Sequence, residues 1–202
     1  MTGKTRVPKA EITGIFGATA KKFSQKRLGQ VPDSLGVMWH NQQVLKAFFG
    51  FAQKAERWNA CDHQLKAFAH MIAVARVGCS FCLDFAYLQA DDEKLEMEKV
   101  REILRWRESS VFTPLERDVL EYAEAICQTP PAVTDELSAR LLDQLGAPAL
   151  VELTAFIGSA NMASRTNVAL GIESQNFAAA RGLPPMAGSP RPLLQPALAS
   201  PA

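Results

Sequence analysis

Residues 63–88 read HQLKAFAHMIAVARVGCSFCLDFAYL, and the fold turns on how Cys79 and Cys82 are set within them. The segment ahead of the pair, Gln64 to Val77, is Ala-rich, and its Leu65, Phe68, Ala69 and Ile72 recur at helical spacing. Asp62 can cap that helix and Gly78 interrupts it. After the break, Phe81, Phe85 and Leu88 fall at i, i+4 and i+7, the pattern of one helix face. A thioredoxin-like domain would set its Cys-x-x-Cys after a β-strand inside a βαβ unit. Here both flanks are helical, so the reading is an all-α chain with its cysteine pair at a helix start.

The rest of the chain agrees. Its 202 residues are enough for a sizeable core without disulfide staples, and 48% apolar with 21% charged residues is ordinary globular composition. Thirty Ala and 21 Leu against 12 Val and seven Ile favour helices over strands. From about Asn41 to Trp58 the residues Val44, Phe48, Phe51 and Ala55 predict a core helix. Thr113, Pro114 and Glu116 form a capping box with Pro at the first helical position, predicting a helix that runs to about Gln128. Thr134 caps another that Gly146 closes, and Pro148 can open a long final helix reaching Leu170. Residues 1–35 mix basic residues with Gly and Pro, leaving room for at most a short helix around Thr19 to Leu28, and read as an arm packed on a single domain, 36–182. Six of the 20 residues from Leu183 to Ala202 are Pro, which predicts a disordered tail over 183–202.

A formal net charge of +1 supplies no broad field for a nucleic-acid partner. No stretch reaches the roughly 20 predominantly apolar residues of a bilayer span, and no convincing secretory segment opens the chain, so the expectation is a cytoplasmic protein with no membrane partner. Two thiols at i and i+3 on a helix start lie close enough to bond, and the helix N-terminus favours a thiolate. The competing readings are a pair of small buried hydrophobes or a metal site. Four cysteines and three histidines show no paired finger spacing, and Leu83 stands where haem attachment needs His. Neither a metal nor another cofactor is expected.

Gly78-Cys79-Ser80-Phe81-Cys82-Leu83-Asp84-Phe85, together with the later run Asn167-Val168-Ala169-Leu170-Gly171-Ile172-Glu173-Ser174-Gln175, resembles the carboxymuconolactone decarboxylase family, in particular its alkyl hydroperoxidase D-like branch. The resemblance covers about Pro32 to Gly182. It implies an alkyl hydroperoxidase D-like helical bundle, a homo-oligomer, and a thiol peroxidase that reduces an organic hydroperoxide through an internal Cys79–Cys82 disulfide and is restored by a dithiol reductant. Proximity to the helix N-terminus favours Cys79 as the attacking thiol, whereas the resemblance implies Cys82, with Cys79 resolving. That branch also carries a Glu about 12 residues before the first cysteine and a His four after the second, which relay protons; here they are Ala67 and Ala86. Without a neighbouring base a Cys stays near its free pKa of about 8.5.

Asp84, Tyr87, His40, His63 and His70 are candidate substitutes for that base. A carboxylate would raise a thiol pKa, so only a His is chemically attractive. His70 and His63 would point away from Cys79 on a continuous helix. His40, from another segment or another subunit, is therefore the third candidate catalytic residue beside Cys82 and Cys79. Two other functions stay open: a redox-sensing or partner-binding oligomer without catalysis, favoured by Ala67 and Ala86, and a cofactor-free lactone decarboxylase-like enzyme, which would leave the cysteines idle.

Overall fold

The computed structural model describes residues 5–188. Among them the chain forms helices and loops and no strand, as the spacing of apolar residues predicts. In order these are α1 (Gly14–Leu28), α2 (Asp33–Met38), α3 (Gln42–Ala55), α4 (His63–Val77), α5 (Ser80–Asp92), α6 (Met97–Glu102) with a 3-10 turn at Ile103–Arg105, α7 (Pro114–Cys127), α8 (Asp135–Leu145), α9 (Ala147–Ala169) and α10 (Phe177–Ala180).

Helix α4 sits at the centre. Phe68, Ala69, Met71, Ile72, Ala73 and Val74 are all buried, so apolar side chains surround its axis and it needs neighbours on several sides. Helices α7, α9 and α5 supply them. Lys66, on the same helix, is 3% exposed and pairs with Glu152 of α9 at 2.7 Å. Glu152 also accepts the Ala60 backbone N–H at 2.7 Å, and Lys66 donates to the Trp58 carbonyl, so one buried ion pair ties α4, α9 and the 56–62 loop together. Burial raises the Glu152 carboxyl, but the bonds from Lys66 and the loop backbone outweigh it and hold it below the ordinary carboxylate range.

The caps fall where the sequence puts them. Asp62 accepts the Leu65 N–H at 3.0 Å and Thr134 accepts that of Leu137 at 3.2 Å. Thr113 and Glu116 close a reciprocal capping box at the start of α7. Each satisfies backbone donors that the first turn would leave unpaired.

Three expectations need correction. Helix α3 forms, but only Leu45 and Ala55 of it are buried, and Val44, Phe49 and Phe51 are exposed, because among the described residues α2 is the main helix packed against it. Helix α1 is a full 15 residues, since Gly14 opens it at φ +76° and Gly17 lies where a Cβ would crowd Ile12 and Trp39. Helix α2 runs across the 35/36 boundary, so arm and body share an element; Arg6 N–H also donates to the Leu170 carbonyl at 3.0 Å. The third correction concerns the tail. Residues 183–188 pack on the body, with the Pro184 carbonyl accepting from the Tyr87 hydroxyl at 2.7 Å, Ala187 N–H donating to Arg101 and Met186 buried. Positions 189–202 of that predicted tail lie outside the described residues.

Candidate functional site

The cysteines occupy the hinge between α4 and α5. Gly78 takes φ +80°, a conformation that only glycine adopts cheaply, and lets Cys79 N–H reach back to the Val74 carbonyl at 3.0 Å. Cys79 thereby becomes the N-cap of α5, its sulfur accepting from the Cys82 backbone N–H at 3.2 Å. The two sulfurs are bonded to each other, with Cα atoms 5.3 Å apart. Both residues are buried, Cys79 at 1% and Cys82 at 8% exposure, so Cys82 is the more exposed residue of the two.

Asn167, near the end of α9, directs its side-chain N–H at the Cys82 sulfur, 3.3 Å away. A donor at that position stabilises negative charge on sulfur. Sequence reasoning noted Asn167 only as part of a family run; its spacing along α9 carried no hint of which sulfur it would meet. One turn earlier Ser164 is fully buried with its hydroxyl unpartnered, and a further turn back Asn161 donates to the Cys127 sulfur at 3.1 Å. The rest of the run locks the site from below: Ser174 N–H donates to Ser80, Ser174 Oγ and Phe177 N–H donate to Asp84 Oδ2, and Ala178 N–H donates to Asp84 Oδ1. Gln175 in turn accepts from the N–H of Asp33, the first residue of α2.

Several candidates for the missing base are thus occupied elsewhere. Asp84 caps α10, and the Tyr87 hydroxyl is taken up by the Pro184 carbonyl. His40 donates to the Pro8 carbonyl at 2.8 Å, beside the cluster of Leu35, Trp39 and Leu45 rather than the cluster that holds the cysteines. Arg76 pairs with Glu124, which also takes Arg107 and the Trp106 N–H. The remaining thiols are less acidic than free cysteine, since burial pushes Cys61 up to about 11 and also raises Cys127. Among the described residues no three His, Cys, Asp or Glu side chains converge as metal ligands would, and no helix is long and apolar enough to cross a membrane.

His63 and His70 both lie on α4, and Gly78 folds α5 back along that helix. His63 bonds Glu93 near the far end of α5 at 2.7 Å. His70 lines a small cleft of about 20 Å³ between the two helices, together with Ala67 and Ala86. Its ring meets Phe156 of α9 edge-on at 5.9 Å, and burial lowers its pKa to about 4. The cleft shares Glu56, His63 and Lys66 with a wider opening of about 410 Å³ along the 56–62 loop.

Residues 42–125 match the model of the Carboxymuconolactone decarboxylase family. The uncharacterized protein YnjA of Escherichia coli (strain K12) is 41% identical over 99 residues, 49% of this chain and 54% of that protein, so the match spans about half of each. Among solved structures, the debrominase Bmp8 in a cysteine-to-alanine form complexed with 2,3,4-tribromopyrrole superposes with a TM-score of 0.75 at 19% identity, covering 88% of this chain and 97% of that one. The alkylhydroperoxidase AhpD core of an uncharacterized peroxidase-related protein from Ralstonia eutropha JMP134 gives a TM-score of 0.66 at 17% identity, covering 86% and 94%. These likenesses establish an alkylhydroperoxidase D-like helical fold.

Proposed function

We propose that this chain, similar over residues 42–125 to the carboxymuconolactone decarboxylase family, is a thiol peroxidase that cycles through the Cys79–Cys82 disulfide. The observation that carries the reading is the bonded pair at the start of α5 with the Asn167 amide on the Cys82 sulfur. In the reduced protein Cys82 loses its proton and the thiolate attacks the distal oxygen of an organic hydroperoxide. The S–O bond forms as the O–O bond breaks, and the alkoxide takes up a proton to leave as the alcohol. Cys79 then attacks the sulfenic sulfur, the disulfide forms and water departs. A dithiol reductant supplies the two electrons and two protons that restore both thiols. The slightly greater exposure of Cys82 and the Asn167 donor support Cys82 as the attacking sulfur, and Cys79 resolves. His40 takes no step in this scheme.

The exposed apolar residues of α3, Val44, Phe49 and Phe51, support a homo-oligomer that covers them. Ala67 and Ala86 favour a second reading, a disulfide that reports redox state to a partner without peroxide turnover. Following hydroperoxide loss over the reduced protein separates the two. The peroxidase reading expects wild type to consume it in the presence of a dithiol and Cys82→Ser to stop; equal slow consumption by both proteins would sink it.

A further inference from the structure

Helices α4 and α9 run side by side in the same direction, and their contacts fix which residues lie level. Lys66 pairs with Glu152, 86 positions later, at 2.7 Å, and one turn on the His70 ring meets that of Phe156 at the same offset. Further along, the Cys127 sulfur joins the two helices, donating to the Ala73 carbonyl at 3.8 Å and accepting from Asn161 at 3.1 Å. Past that point Asn167 reaches the Cys82 sulfur at 3.3 Å. Ser164 is three residues, about 4.5 Å of helix, from each of these asparagines. It therefore lies level with the hinge at Gly78 and Cys79. The Cys79 sulfur is in turn bonded to the sulfur that the next turn of α9 holds.

Ser164 is fully buried, and its Oγ is the one buried side-chain nitrogen or oxygen among the described residues with no hydrogen-bond partner. A buried hydroxyl left unpaired is costly. At this level of the fold, the groups that change between working states are the two cysteines. A disulfide sulfur is a weak acceptor, and a thiolate is a strong one.

We infer that the Ser164 hydroxyl donates to the Cys79 sulfur when the disulfide opens, stabilising the thiolate that leaves as the reductant attacks Cys82. The inference rests on the thiol cycle proposed above and gives its reductive half a residue of its own. A thiolate of the dithiol reductant attacks the Cys82 sulfur; a mixed disulfide forms as the Cys79–Cys82 bond breaks, and Cys79 departs with the electron pair. The reductant's second thiolate then attacks its own sulfur in the mixed disulfide, releasing Cys82. The reductant ends as its disulfide, and Cys79 and Cys82 take up the two protons its thiols lost. Charge on Cys79, 1% exposed, is out of reach of bulk solvent and needs donors from the protein. The Cys82 backbone N–H supplies one at 3.2 Å, and Ser164 supplies the second.

The test compares wild type, Ser164→Ala and a control, Ser159→Ala, which removes a hydroxyl of the same helix that bonds the Phe156 carbonyl. Each is equilibrated with mixtures of reduced and oxidised dithiothreitol, and the rate at which dithiothreitol opens the disulfide is followed. Ser164→Ala should shift the equilibrium at least about threefold toward the disulfide and slow opening at least about fivefold, with Ser159→Ala within twofold of wild type in both. Melting is then measured in each redox state. As the disulfide, Ser164→Ala should be at least as stable as wild type, since its hydroxyl has no bond to lose there; reduced, it should melt lower. An equilibrium and rate within twofold of wild type, the same shifts in Ser159→Ala, or equal destabilisation of both redox states would each overturn the inference. So would a disulfide that dithiothreitol fails to open, or a Ser164→Ala disulfide form that fails to fold. No arm uses a hydroperoxide, so these results stand whether or not Cys82→Ser slows hydroperoxide loss, the measurement that decides the peroxidase reading.

Discussion

At the scale of single residues, the site is made by side chains whose roles come from what they touch. Asn167 contributes one N–H to the Cys82 sulfur, and a bond to a charged acceptor is worth about 1.5–3 kcal/mol. Asn167→Leu should therefore shift Cys82 alkylation to higher pH and slow it at least several-fold at neutral pH, with helix content unchanged by circular dichroism. His70 makes a second, separate prediction through stability. Its pKa falls from an ordinary 6.5 to about 4 in the folded protein, so the unfolded chain binds the extra proton between those values. Stability is then full above pH 6.5 and declines as pH falls toward 4. Thermal melting should show wild type losing more stability than His70→Gln across that window; parallel curves would contradict the lowered pKa of this partly buried imidazole. The cysteine pair was legible from spacing alone, and the resemblance to the alkyl hydroperoxidase D-like branch pointed to Ala67 and Ala86 in place of its relay. The positions of His70 and Asn167 were not, because the first depends on the direction in which Gly78 turns the chain and the second on a contact between residues 85 positions apart.

At the scale of elements, local chemistry fixed helix starts and tertiary packing decided what each helix buries. Thr113 with Glu116, Thr134 and Asp62 cap α7, α8 and α4 as the sequence predicts, since a cap needs only neighbours three residues away. The apolar stripe of α3 was equally plain, yet a stripe states only that a face seeks cover and not whether the same chain provides it. The Lys66–Glu152 pair escaped sequence reading for the same reason: 86 residues separate its members. Both ends are buried, so removing one leaves the other uncompensated, and Lys66→Ala should cost about 3–5 kcal/mol in urea unfolding. Replacing both, Lys66→Met with Glu152→Leu, should recover most of that loss. If the double variant is as unstable as the single one, the pair is not acting as a charge-compensated unit.

For the whole molecule, the account joins a helical core to an uncovered apolar surface. Phe49 and Phe51 on α3, with Ile15 and Phe23 on α1, leave more aromatic and aliphatic surface in solvent than a monomer needs to expose. Light scattering should return a multiple of 22.1 kDa for wild type, and Phe49→Asp with Phe51→Asp should reduce it toward one chain. A single-chain mass for wild type would contradict the assembly. The all-α class and the likeness to the family were legible because Ala-rich periodicity and the Gly78–Phe85 motif are local signals. Packing of residues 183–188 was not, since the Tyr87–Pro184 and Arg101–Ala187 bonds join distant parts of the chain.

The account's central claim is that Cys82 attacks and Cys79 resolves, and trapping the sulfenic acid tests it most directly. Reduced Cys79→Ser protein is treated with one equivalent of organic hydroperoxide and then dimedone, and the adduct is mapped by mass spectrometry. The account predicts an adduct on Cys82 in that variant, none in Cys82→Ser, and in wild type a disulfide with both thiols lost. An adduct on Cys79 in Cys82→Ser, or thiols left untouched in every protein, would contradict it.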